Sequence, residues 1–210
     1  MPAPGTSGTT AAALPADDRQ LDDAALITAS LQHGEQFAAL YDRHAPTLFR
    51  YAARRLGPDP AQDAVAETFL VAFRIRARYD AARPDARPWL LGILTREIGR
   101  RRRAEANRYR LLAALPAPEH DEGPADVVAL AVTARAARAP LARALSRLRP
   151  GDRDALLLLA WAGLGYAEVA TALDVPIGTV RSRLNRARRL MRAELADHLH
   201  PDFLTNAEEA

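Results

Sequence analysis

The segment Gly165–Arg192, GYAEVATALDVPIGTVRSRLNRARRLMR, leaves a chain little choice of local structure. Tyr166, Val169, Ala170 and Leu173 recur at three- and four-residue steps, which lines them along one face of a short helix. Asp174 then falls where the chain must turn through a left-handed residue, a conformation that Gly adopts easily and Asp less well. Pro176 suits the start of a second helix, where its missing N–H has no partner to lose. In that helix Ile177, Val180, Leu184, Ala187 and Met191 share one stripe, and Ala170 is small where the two helices cross. Facing stripes across a tight turn predict a helix-turn-helix, whose second helix can enter the major groove of DNA.

With that stripe inward, Ser182, Asn185, Arg186 and Arg189 point outward, flanked by Arg181 and Arg183. Arginine can pair with two acceptors of guanine and asparagine with adenine, while spare arginines neutralise phosphates. The run Gly178–Arg192 holds six arginines. A charged run alone is more often a solvated helix face, and the preceding helix, the turn and the paired stripes favour DNA contact instead.

Charge elsewhere is as uneven. The net charge is only +3 and all 29 basic residues are arginine, but Arg100–Arg103 with Arg108 and Arg110 form a second cluster. Between the clusters, Leu111–Ala134 has no arginine and carries Glu119, Asp121, Glu122 and Asp126. Two basic regions joined by an acidic tether suggest two contacts with a polyanion.

Abundant alanine and leucine, few aromatics and the lack of alternating strand patterns indicate an all-α chain. No stretch is long and apolar enough for a membrane span, and no secretory leader is visible, so a soluble cytoplasmic protein without membrane insertion is expected. The absence of cysteine excludes disulfides, thiolate nucleophiles and Cys-ligated zinc.

Residues 1–22, rich in Pro, Gly, Thr and Ala, read as a disordered extension. A first helical block follows over residues 23–113, with Phe37, Leu40, Tyr41, Leu48, Phe49, Ala52 and Leu56 in one apolar series. Asp59 is the expected N-cap of a further helix, with Pro60 at its first position and a stripe of Val65, Phe69, Ala72 and Phe73. Asp80–Pro88 breaks the pattern, and Trp89, Leu90, Ile93, Leu94 and Ile98 resume it. Residues 114–138 contain the Pro-rich acidic linker Pro116–Asp126 and the start of an alanine-rich helix. A second block covers 139–200, with breaks at Arg149–Asp152 and Ala162–Gly165, and 201–210 form a tail. The reading is two small helical domains joined by a flexible acidic linker.

At these residues the sequence resembles a family. ALSRLRPGDRDALLLLAWAGLGYAEVATALDVPIGTVRSRLNRARRLMRAEL looks like region 4 of the extracytoplasmic-function (ECF) group of bacterial sigma factors. DAVAETFLVAFR (Asp63–Arg74) resembles region 2.2, and RPWLLGILTREIGRRRR resembles the stretch that ends region 2 in basic residues. There are departures: Ala66 replaces a usual glutamine, Pro88 a usual threonine, and Arg96 stands where asparagine is common.

The resemblance implies a non-enzymatic, cofactor-free factor that binds core RNA polymerase and directs it to promoter DNA. Asp63, Glu67, Thr68 and Phe69 would dock on the clamp helices of the largest polymerase subunit. Asp85, Arg87, Trp89, Arg96, Arg100, Arg101 and Arg103 would engage and help melt the −10 element. Arg181, Ser182, Arg183, Asn185, Arg186 and Arg189 would read the −35 element. The acidic linker would thread basic polymerase channels, or else serve only as a soluble spacer, and an anti-sigma factor is a further expected partner. The plainer role of Trp89 is a core anchor. The loop before it has no apolar period to bury. Two other classes stay open: a stand-alone helix-turn-helix regulator and a helical protein-interaction adaptor. Nothing points to catalysis. His198 and His200 near Glu194 read as surface residues at a helix end rather than a metal site, and Gly163–Gly165 lacks the strand and third glycine of a phosphate-cradling loop.

Overall fold

The computed structural model describes residues 21–114 and 138–196, and every regular element among them is helical. The expectations for the N-terminal extension, the linker and the alanine-rich stretch after it, His198, His200 and the tail concern residues outside that range. Asp22 caps the first helix, α1 (Asp23–Ala29), by accepting from the Ala25 N–H at 2.7 Å. A 3₁₀ turn (Gly34–Phe37) leads into α2 (Ala38–Leu56). Gly57, at φ 93°, both ends α2 and starts α3 (Pro58–Ile75), a backbone conformation that glycine alone takes without strain. The N-cap is therefore Gly57 rather than Asp59, and Pro58 rather than Pro60 opens the helix. α4 (Arg87–Arg100) and α5 (Arg102–Ala114) complete the first group. The second group is α6 (Arg138–Arg147), α7 (Pro150–Ala160), α8 (Tyr166–Leu173) and α9 (Ile177–Leu195). The break expected over Arg149–Asp152 is shorter, because Pro150 already begins α7.

In the first group Leu40, Leu48, Ala52 and Leu56 of α2 pack with Ala61, Ala64, Val65 and Phe69 of α3. Leu90, Leu91, Leu94 and Ile98 of α4 are fully buried against them. In the second, Leu157 and Leu158 of α7, Val169 of α8, and Val180, Leu184 and Ala187 of α9 form the interior. Burying one such leucine or valine stabilises by about 1.5–3 kcal/mol, so these stripes dominate the fold. Ile177 is 41% exposed despite its place on the α9 stripe, because it lies in the first turn, ahead of the first buried residue, Val180.

The two groups share one continuous core. α6 lies along α5, and α8 lies on α4. The second contact depends on Gly92: a Cβ there would sit 2.3 Å from the Ala172 carbonyl oxygen. The closest approach of α8 to α4 is thus at Ala172. A buried charge cluster joins the groups as well. Arg55, 1% exposed, donates to Glu105 at 2.6 Å, the Tyr51 hydroxyl at 3.0 Å and Asp154 at 2.8 Å. Arg153 donates to the other Glu105 oxygen at 2.9 Å. Burial opposes the charge on Arg55, but Tyr51, Asp154 and Glu105 more than offset it and raise its pKa well above the ordinary value. Neutral replacements could hold two helices together as well as such a cluster, but removing one member strands a buried charge.

Candidate nucleic-acid interface

The helix-turn-helix is built as its sequence demands. Glu168 reaches back to accept from the Gly165 N–H at 2.6 Å and fixes the start of α8. Asp174 takes the left-handed conformation, φ 53° and ψ 53°, and Val175 N–H closes the turn on the Ala170 carbonyl at 3.1 Å. Val180, Leu184 and Ala187 pin α9 inward, which leaves Arg181, Ser182, Asn185 and Arg189 exposed. Among the described residues Arg181, Asn185 and Arg189 make no hydrogen bond or ion pair, so their donors face solvent. Two arginines of the expected set are engaged. Arg186 forks onto Asp152, at the start of α7, with bonds of 3.1 and 2.8 Å. That bond holds its guanidinium charged and raises its pKa. Arg183 is half-buried, its guanidinium packed close to Gly151. Glu194 pairs with Arg147.

A second basic face lies on α4 and α5. Arg96, Arg100 and Arg103 are exposed, together with Arg102 of the same basic cluster, which was not among the residues expected at the −10 element. Arg100 and Arg101 bond Glu97, whose carboxylate is buried at the base of this face, at 2.5 and 3.4 Å. Trp89 is half-buried, its ring centroid 5.0 Å from that of Tyr79, so it anchors the start of α4 rather than standing free. The Tyr79 phenol donates to the Arg83 carbonyl at 2.6 Å, and burial, with Asp23 and Asp85 nearby, pushes its pKa up to about 12.

The loop ahead of α4 corrects one expectation. Ala86 is fully buried and Pro88 is buried with it, so the loop does contribute to the core. Asp85 is exposed, with its carboxylate accepting the Arg87 N–H at 2.8 Å. α8 touches two cations of this segment. Arg83 donates to the Thr171 hydroxyl at 2.6 Å, and Arg87 lies 3.8 Å from Glu168.

Sequence reasoning also missed the anchor beneath the loop. Asp23, 4% exposed, accepts from the Ala86 N–H at 2.8 Å, His44 Nε2 at 2.7 Å and Arg43 at 2.6 Å. Burial alone would raise its pKa, but these donors outweigh burial and hold it below the ordinary value. Asp23, His44 and Asp85 stand close enough together to suggest a cation site. A guanidinium and two further donors already fill the Asp23 oxygens, which speaks for a hydrogen-bonded clamp instead. No pattern in LDDAAL distinguishes Asp23 from an ordinary acid in the first turn of a helix.

On α3, Asp63 is exposed and Glu67 half-buried, but Thr68 and Phe69 are core residues. The Thr68 hydroxyl bonds the Ala64 carbonyl at 2.7 Å, and the Phe69 ring meets that of Tyr41 at a 60° tilt with centroids 4.8 Å apart. The surface at this point is a groove of about 700 Å³ between α2 and α3, lined by Tyr41, Asp42, Phe49, Gln62, Asp63 and Ala66 among others.

Two family models match the chain: Sigma-70 region 2 over residues 40–108, and Sigma-70, region 4 over residues 138–191. The ECF RNA polymerase sigma factor SigL of Mycobacterium tuberculosis is 35% identical over 161 residues, 76% of this chain and 88% of SigL. The chain belongs to the ECF sigma factors of the sigma-70 family. Two solved structures share the fold. CnrH, in complex with the cytosolic domain of CnrY, superposes with a TM-score of 0.59 at 24% identity, covering 83% of this chain and 97% of that one. RpoE of Bartonella quintana, solved with the anti-sigma factor NepR, gives 0.51 at 22% identity over 77% of this chain and 98% of that one. This sigma factor directs transcription initiation, and no described helix is long and apolar enough to cross a membrane.

Proposed function

We propose that this sigma factor binds core RNA polymerase through α2 and α3 and brings it to promoter DNA with two separate faces. α9 reads the −35 element through Arg181, Ser182, Asn185 and Arg189. The loop Asp80–Pro88 and the arginines of α4 and α5 engage the −10 element and help open it. Residues 23–113 act as region 2 and 139–200 as region 4, joined by the acidic linker, and the factor works in the cytoplasm by binding, with no catalytic step of its own. One observation carries this reading: a helix-turn-helix with unengaged Arg and Asn side chains shares a chain with a second cluster of exposed arginines on other helices. A stand-alone regulator would need only the first. The groove lined by Asp63 and Ala66, next to Glu67 in sequence, supports polymerase docking, with Thr68 and Phe69 buried in α3. An anti-sigma factor is a further proposed partner, by analogy with the RpoE relative solved in complex with one.

Geometry adds a requirement. The two elements are centred roughly 25 base pairs apart by their names, about 85 Å of duplex at about 3.4 Å per pair. With α8 in contact with α4, the two faces cannot sit that far apart, so α8 must leave α4 on the promoter. The 23 residues between Ala114 and Arg138 can span at most about 80 Å, enough to let it do so once the size of each helical group is added. Co-elution with core polymerase tests the docking step. Glu67→Lys should weaken co-elution with the fold intact, and unchanged binding would put the docking face elsewhere.

A further inference from the structure

The loop between α3 and α4 is held by its backbone at three positions, 83, 84 and 86. The Arg83 carbonyl accepts from the Tyr79 hydroxyl at 2.6 Å, the Pro84 carbonyl from the Asp23 N–H at 3.1 Å, and Asp23 Oδ2 accepts from the Ala86 N–H at 2.8 Å. Asp23 therefore grips the loop on both sides of Asp85, once with its main chain and once with its carboxylate. The same carboxylate is braced from behind by His44 Nε2 at 2.7 Å and Arg43 at 2.6 Å, both on α2. What the clamp leaves outside is Asp85 and the Arg83 side chain, exposed on a backbone that is hydrogen-bonded at 83, 84 and 86.

We infer that Asp23 is a positioning residue for −10 recognition: it fixes residues 84–86 so that the loop meets the displaced strand in one geometry. The inference rests on the proposal that this loop reads the −10 element. A base pulled from the stack costs a few kcal/mol, and a loop free to rearrange would lose much of the binding that offsets this cost. A carboxylate suits the task because bonds to a charged acceptor are stronger and more directional than neutral ones. Stability alone would not require it, since apolar residues could join α1 to α2 without desolvating a charge.

The test uses the full-length protein with core polymerase on a promoter library, read by permanganate reactivity of unpaired −10 thymines. Asp23→Asn keeps the shape but replaces one acceptor oxygen with a donor. Opening should slow roughly tenfold or more, as expected for one charge-assisted hydrogen bond, and the preferred −10 bases should change. Core affinity, −35 preference and the far-ultraviolet circular dichroism should stay close to those of the parent. His44→Gln, which removes the brace and leaves the loop contacts in place, should shift the same readouts less, and it carries the test if Asp23→Asn does not fold. Asp85→Ala serves as the reference for the loop itself. If Asp85→Ala changes −10 preference and neither folded clamp variant does, the clamp is refuted and the loop reading survives. If Asp85→Ala also leaves −10 preference and opening untouched, the loop reading falls and the inference with it. An equal loss at every −10 and −35 variant would mean that Asp23 only holds the fold together.

Discussion

Replacing Gly92 with alanine sets two effects of opposite sign against each other. Within α4 the change favours the helix by about 1 kcal/mol, because alanine has less conformational freedom to lose than glycine. Across the α4–α8 contact the new Cβ would lie 2.3 Å from the Ala172 carbonyl oxygen and 3.1 Å from its carbonyl carbon and Cα. These are backbone atoms and cannot swing aside, and overpacking of this kind costs about 1–3 kcal/mol. The cost disappears when α8 leaves α4, while the helix gain remains. The closed-to-open ratio should therefore fall roughly 5- to 150-fold. The chain contains no cysteine, so dyes on Arg50→Cys and Arg192→Cys, both exposed positions, can report the change by energy transfer in the full-length protein. Opening also releases Arg83 and Arg87 from Thr171 and Glu168, so DNA affinity should rise with a steeper dependence on salt. Unchanged energy transfer together with an unchanged melting temperature would refute the claim that this approach limits separation of the two groups.

Asn185→Ala should change which −35 sequences are used, by about 1–3 kcal/mol for a lost base contact, whereas Arg189→Ala should weaken all promoters alike if it holds a phosphate; binding to a −35 library separates the two. Arg186→Ala and Asp152→Ala should each lower the melting temperature, and the double variant little further, because the two side chains are bonded to each other. Glu105→Gln leaves Arg55 and Arg153 short of a buried counter-charge and should cost about 3–5 kcal/mol in denaturant unfolding. The folded Asp23 carboxyl has a lowered pKa, so its contribution to stability is complete above the ordinary carboxylate value and is lost as pH falls through the folded value. The stability difference between parent and Asp23→Asn should accordingly be flat near neutral pH and shrink only below about pH 4.

The recognition unit was the most legible part of the chain. The expected bounds of α8 match those observed, and Asp174 takes the left-handed turn, because short-range sterics and a 3.6-residue period decide both. Boundaries slipped where two residues could play one part. Pro58 and Pro60 both suit a first helical turn, and the choice fell to Gly57, whose positive φ ends α2 at the same point. The burial of Ala86 was hidden because its depth comes from α1, far away in sequence. Contacts between the two groups left no signal of their own. Gly92 reads as a tolerated glycine in an apolar stripe, and Arg55 as one more arginine in an arginine-rich chain. Only tertiary packing makes the first a point of closest approach and the second the centre of a buried charge cluster. Thr68 and Phe69 show the reverse case: the motif that contains them marks a surface, and these two residues form its underside.

Run-off transcription with purified core polymerase on a promoter library, with and without the full-length protein, would show whether the protein confers promoter choice. Specific transcripts should appear only with the protein and come from templates sharing a −35 and a −10 element. Asn185→Ala should redirect the −35 choice and Asp85→Ala the −10 choice. If the protein binds particular DNA sequences tightly by itself yet yields no transcript with core polymerase, the chain acts as a regulator at one site, and the two-face account is wrong.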